Sequence, residues 1–207
     1  MADDSRPTWS RTLLIDTAVE LLREGGPDAV TVEAVTTSAQ MSRATLYRQF
    51  PGCSEVLAAA FCELIPAPSV PPATGSWRDR LIAVLAGHAR AVTELPLIVS
   101  AICWLAQGSG RSGLADAFVA DGLDSSGRNA LRQRIGAWCT APIDDVLADQ
   151  HARDELGEID RELVFALLIA PVVFGRISRP HACAAAAVDA FAQAHSERLV
   201  EQGSGKP

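Results

Sequence analysis

Residues 31–50 read TVEAVTTSAQMSRATLYRQF. Val32, Val35 and Ala39 fall on one face at helical spacing, and Leu46 and Phe50 do so again beyond Met41. Two short helices are expected, each opening on a hydroxyl residue. Thr31 and Ser42 stand where a side-chain oxygen can satisfy the orphan amides of a first helical turn. Only Ala39-Gln40-Met41 lies between them, which leaves room for a tight turn and a steep crossing. A helix-turn-helix of this form lays its second helix in a DNA major groove.

Working outward, Leu14, Ile15, Ala18, Leu21 and Leu22 form the apolar stripe of an amphipathic helix from about Ser10 to Glu24. Residues 1–8 ahead of it read as a disordered arm, and Gly25-Gly26-Pro27-Asp28 stops it. Downstream, Pro51-Gly52 breaks the chain, and Val56, Leu57, Ala60, Phe61 and Leu64 define a further helix from about Ser54. Residues 1–64 are therefore expected to form a three-helix helix-turn-helix bundle with a connecting helix. The stretch 65–76 holds four prolines and a glycine and reads as a linker.

Residues 77–207 are expected to make a larger, wholly helical domain. Trp77 to about Glu94 carries Leu81, Val84, Leu85 and Ala89 on one face, and Pro96 to about Gln107 is apolar nearly all round. Gly108 to Gly113 reads as a turn. The long amphipathic region Leu114 to about Leu156 is expected to kink or split at Gly122, Gly136 or Pro142. Asp160 to about Ile177 carries Pro171 as a kink site. Pro180 to about Val200 presents Ala184, Val188, Phe191, Ala192, His195 and Leu199 as a stripe. Two terminal helices this apolar are expected to bury surface in a second copy of the chain; the alternative is that they complete the subunit core.

Composition narrows the function classes. With 207 residues, 48% hydrophobic but only 5% aromatic, and almost no period-two alternation, the fold class is all-α. The longest apolar run, Leu163 to Phe174, is too short for a bilayer, and residues 1–11 lack a signal-like apolar core, so a cytoplasmic protein without membrane partners is expected. Cys53, Cys62, Cys103, Cys139 and Cys183 are scattered, as are His88, His151, His181 and His195, which predicts neither a metal site nor a disulfide framework. No nucleophile–base order or phosphate loop occurs, and Gly108-x-Gly110-x-x-Gly113 lacks a preceding strand, so neither catalysis nor a cofactor is expected. Net charge is −7, and residues 1–64 carry five basic against nine acidic side chains. Coating nucleic acid by charge alone is excluded. Arg43 and Arg48 nevertheless fall on the second helix of the pair, so binding should be specific, salt-sensitive and dependent on dimerisation.

Taken together, Arg11-x-x-Leu14-Ile15-x-Thr17-Ala18, Gly26, Thr31-Val32-x-x-Val35 and Ala39-x-Met41-Ser42-Arg43-Ala44-Thr45-Leu46-Tyr47-x-x-Phe50 resemble the DNA-binding domain of the TetR family of bacterial transcriptional regulators. The rest of the chain resembles that family in architecture only, a helical ligand-binding and dimerisation domain. The resemblance implies that Thr31, Ser42, Thr45 and Tyr47 donate to phosphates; for Tyr47 the alternative is packing against the first helix. Arg43 would pair with guanine and the Ala44 methyl would meet thymine, while Arg48 suits either purpose. Gln40 departs from a turn glycine, and Gln49 from a frequent histidine, though it can still donate to phosphate. Cys53 departs from a lysine; its backbone amide can still meet a phosphate, and a thiol at a helix start is a candidate for low pKa and oxidation.

The implied partner is double-stranded DNA with a palindromic operator, bound by a homodimer joined through the last two helices. A small, predominantly apolar effector would release it, acting through differential affinity for two conformations. Cys103, Trp104, Phe118, Trp138 and Phe165 are the candidate pocket residues. Two rivals remain: an all-helical small-molecule binder, and a protein-interaction module that never touches DNA.

Overall fold

The structure, a computed structural model, describes residues 5–108, 126–174 and 180–204. Among these every regular element is helical: α1 (Ser5–Gly25), a 3-10 turn (Pro27–Ala29), α2 (Val32–Ser38), α3 (Arg43–Gln49), α4 (Cys53–Leu64), α5 (Trp77–Glu94) and α6 (Leu97–Gly108) come first. Then follow α7 (Ser126–Leu147), α8 (Gln150–Leu156), α9 (Arg161–Val164), a π-helical segment (Phe165–Ile169), α10 (Ala170–Phe174) and α11 (Pro180–Ser204). No single helix among the described residues is long and apolar enough to cross a membrane.

The chain forms two compact units, neither of them one continuous stretch. The first takes residues up to Pro66 together with Pro96–Ile135. In it α1 packs against α4, α2 and α3, and α4 also packs against α6. Leu14, Ala18, Leu22, Val35, Leu46, Phe50, Val56, Ala60 and Phe61 are buried, as are Ile98, Ala101, Ile102 and Leu105 from α6. The second unit takes Ala67–Leu95 and Gly136–Pro207. There α11 packs on α5, on the π-helical segment and on α8, α9 and α10. Helix α7 contributes to both units, changing over after Ile135.

Three sequence expectations are corrected. The arm expected over residues 1–8 is helical from Ser5, because Pro7 falls in the first turn, where an amide has no intrahelical partner to lose; residues 1–4 lie outside the described residues. Helix α6, expected to be apolar on every side, buries one stripe and exposes Cys103 and Gln107. The long region does divide into two successive helices, but not at Gly136 or Pro142: α7 runs through both, and the break comes at Ala148-Asp149, where the Asp149 carboxylate accepts from the His151 amide and opens α8.

Pro142 is tolerated for a local reason. Its missing amide would have bonded the carbonyl of Trp138, four residues back. His88, buried on α5, meets that carbonyl instead, with Nε2 at 2.9 Å. The imidazole also lies edge-on to the Trp138 ring at 4.7 Å. Burial pushes the His88 pKa below its ordinary value, against a smaller opposing effect of the carbonyl, so the neutral ring is favoured. At Pro171 the irregularity takes the form of the π-helical segment just ahead of the proline. The turn expected at 108–113 and the break at Gly122 fall outside the described residues from 109 onward.

Candidate nucleic-acid interface

Each short helix of the first unit is closed off by its own side chains. The Thr31 hydroxyl accepts from the Ala34 amide at 3.1 Å, and the Ser42 hydroxyl from the Thr45 amide at 3.1 Å. Between the helices the Met41 amide donates to the Thr36 carbonyl (2.9 Å) and the Gln40 amide to the Thr37 carbonyl (3.1 Å). This is a Schellman closure, whose C′ residue takes a left-handed conformation. Gln40 holds it at φ 53°, the lone non-glycine with positive φ among the described residues. The turn therefore keeps the shape a glycine would favour, at a steric cost borne by the Gln40 side chain.

Helix α3 divides into two faces. Leu46 and Phe50 are buried at 0% and 2% exposure, locking it to the bundle. Arg43, Ala44, Tyr47 and Arg48 form the opposite, exposed face, with Ser42 at its start and Thr45 and Gln49 at its margins. Tyr47 is 55% exposed, so its ring is not part of the core. The polar groups of this face are already ordered by one another. Ser42 and Thr45 hydroxyls lie 3.0 Å apart, and Arg48 Nη2 donates to Thr45 Oγ1 at 3.3 Å. Arg43 Nη2 stands 3.9 Å from a Glu33 carboxylate oxygen on α2, both side chains well exposed. At that distance and exposure the pair is a weak tether that a stronger acceptor displaces.

Arg11 on α1, whose role no residue-level expectation covered, supports the face from behind. Its Nη1 donates to the Gln49 carbonyl at 2.8 Å, and its guanidinium lies 4.1 Å above the Phe50 ring. A cation on the last carbonyls of α3 complements the negative helix end. The available signal was Arg11 standing at the head of the family-like run.

Cys53 opens α4 but does not behave as an activated thiol. Its Sγ donates to the Val30 carbonyl at 3.1 Å, and burial raises its pKa. That direction is opposite to the low-pKa thiol anticipated at this position.

Residues 14–60 match the family described as bacterial regulatory proteins, tetR family. Uncharacterised HTH-type transcriptional regulators of Mycobacterium bovis and of two Mycobacterium tuberculosis strains are each 46% identical to it over 83 residues. That match covers 37% of this chain and 41% of each relative, so it spans about two fifths of the relatives' length. The crystal structure of a tetR-family transcriptional regulator from Streptomyces coelicolor covers 99% of this chain and 87% of its own, with a TM-score of 0.58 and 19% identity. At that identity the likeness concerns the fold. Helices α2, α3 and the start of α4 all lie within the matched residues.

Three of the five residues named as a possible effector pocket have described side chains. Trp104 belongs to the first unit, half-buried beside Phe61, and Cys103 next to it is exposed. Trp138 is buried in the second unit against His88. Phe118 and the side chain of Phe165 lie outside what is described.

Proposed function

We propose that the chain is a cytoplasmic DNA-binding transcriptional regulator, a homodimeric repressor of a palindromic operator that a small effector releases. Residues 1–64 are the DNA-binding domain, 65–76 the linker and 77–207 the ligand-binding and dimerisation domain. One observation carries the reading: α3 buries Leu46 and Phe50 and turns Arg43, Ala44, Tyr47 and Arg48 outward. Arg43 reads guanine O6 and N7 through its forked donors, and Ala44 meets a thymine methyl. Thr31, Ser42, Thr45, Tyr47, Arg48, Gln49 and the backbone amide of Cys53 engage phosphates and set the register. The dimer spaces two such helices one helical turn of DNA apart.

Gel-shift titration against inverted-repeat fragments from upstream of the gene tests this. Specific binding at moderate salt is expected, and Arg43→Ala should cost about 1–3 kcal/mol at the guanine it reads while leaving other positions unchanged. If no such fragment binds at moderate salt and Arg43→Ala changes nothing, the chain is a helical interaction module instead. That rival draws on the acidic balance of residues 1–64 and on Glu33 beside Arg43.

A further inference from the structure

The first unit holds a positively charged group with one buried donor that finds no partner among the described residues. Arg128, in the first turn of α7, lays its guanidinium 3.9 Å from the centre of the Trp104 ring on α6. Trp104 in turn leans on Phe61 of α4, centroids 5.8 Å apart. Among the described residues Nη1 of Arg128 is buried with no hydrogen-bond partner. The nearest buried acid along the chain does not serve. Glu55 on α4 accepts the Gly127 amide on Oε2 at 2.8 Å and the Ser126 hydroxyl at 3.3 Å. Its Oε2 is thus held by the start of α7, a helix end that favours an anion, while Oε1 is buried without a hydrogen-bond partner. Gly127 is needed for that approach, since a Cβ there would sit 2.6 Å from Oε2.

A guanidinium stacked on an indole uses its face and leaves its planar edge of N–H donors free. An edge donor removed from water without an acceptor loses the full hydration of a charged group. The group that restores it best is a carboxylate, which matches the fork with two parallel hydrogen bonds. The part of Trp104 left uncovered supplies apolar contact for whatever carries it.

We infer that Arg128 and Trp104 form the anion-binding end of a site for a small organic carboxylate with an aryl or alkyl body. The inference rests on the effector reading above and sharpens it: the effector carries an acid at one end instead of being wholly apolar.

Calorimetric titration of the full chain with 3-phenylpropanoate and octanoate, each beside its uncharged amide, tests it. At least one acid is expected to bind about tenfold or more tightly than its amide, as for a hydrogen bond to a charged group. Arg128→Gln should remove that preference, and Arg128→Lys, which keeps the charge but not the fork, should retain part of it. Should Arg128→Gln not fold, the acid-to-amide ratio of Arg128→Lys decides, and an unchanged ratio overturns the inference. Equal binding of acid and amide to the native chain, a preference that survives Arg128→Gln, or no binding of either acid also overturns it. Arg128-dependent acid binding that leaves operator affinity unchanged keeps the anion site and removes the effector reading.

Discussion

Gln40 and Arg11 show how single side chains set the posture of the recognition helix. Gln40 occupies the left-handed C′ position of the closure between α2 and α3, where an L side chain costs roughly 1–2 kcal/mol. Replacing it by glycine removes that strain and adds some unfolded-chain entropy, a smaller loss. Gln40→Gly should therefore stabilise the protein by about 0.5–1 kcal/mol, read as a rise in Tm of about 2 °C with DNA affinity maintained. Arg11 acts from outside the groove. With its donor on the Gln49 carbonyl and its face on Phe50, it aims α3 without being required on a phosphate. Arg11→Ala should weaken binding to every sequence alike, about tenfold, with the slope of log affinity against log salt unchanged. A slope smaller by about 1 would make it a phosphate contact instead.

At the scale of elements, the caps and apolar stripes of α2, α3, α4 and α5 were legible because each depends on residues within a few positions of one another. Thr31 and Ser42 cap where their hydroxyls suggested, and the buried set of α4 contains the five residues its spacing marked, joined by Glu55 and Ala58. The continuity of α7 was not legible. Pro142 breaks a helix unless another donor takes the carbonyl it orphans, and that donor, His88, comes from 50 residues away. The same distance problem hid the Glu55–Gly127 contact, 72 residues apart. His88→Ala should cost about 2–4 kcal/mol, combining an orphaned carbonyl with a cavity. Adding Pro142→Ala supplies the missing amide, so the double variant should be about 1 kcal/mol more stable than the sum of the two single changes, measured by denaturant unfolding. The lowered His88 pKa also sets a pH response. Below about pH 6.5 the unfolded chain takes up a proton that the folded chain resists, so stability is full above that pH and falls as pH drops. His88→Gln should flatten the fall between pH 7 and 5.5.

On the whole molecule, the final helix separates two properties that the sequence pattern runs together. Ala184, Val188, Phe191, Ala192 and His195 were read as an apolar stripe on a helix pair expected to meet a second copy; all five are buried inside one chain, and the His195 ring stacks on Phe191 with Nε2 against the Leu156 carbonyl. Periodicity reports that a stripe must be covered and is silent on whether the cover is the same chain or another. If two copies pair through the last two helices, the surface α11 leaves for it is its opposite face, with Ala186, Ala190, Gln193 and Glu197 exposed. The two faces should respond differently to mutation. Phe191→Ala should destabilise the protomer by about 3–5 kcal/mol at any protein concentration, as a large cavity in a core does. Ala190→Arg should leave the helical signal of dilute protein intact and abolish the concentration dependence of Tm that a dimer confers. Sedimentation equilibrium reads the outcome directly. A dimer that persists in Ala190→Arg places the partner on another surface, and operator affinity lost together with the dimer ties the reading of both half-sites to this helix.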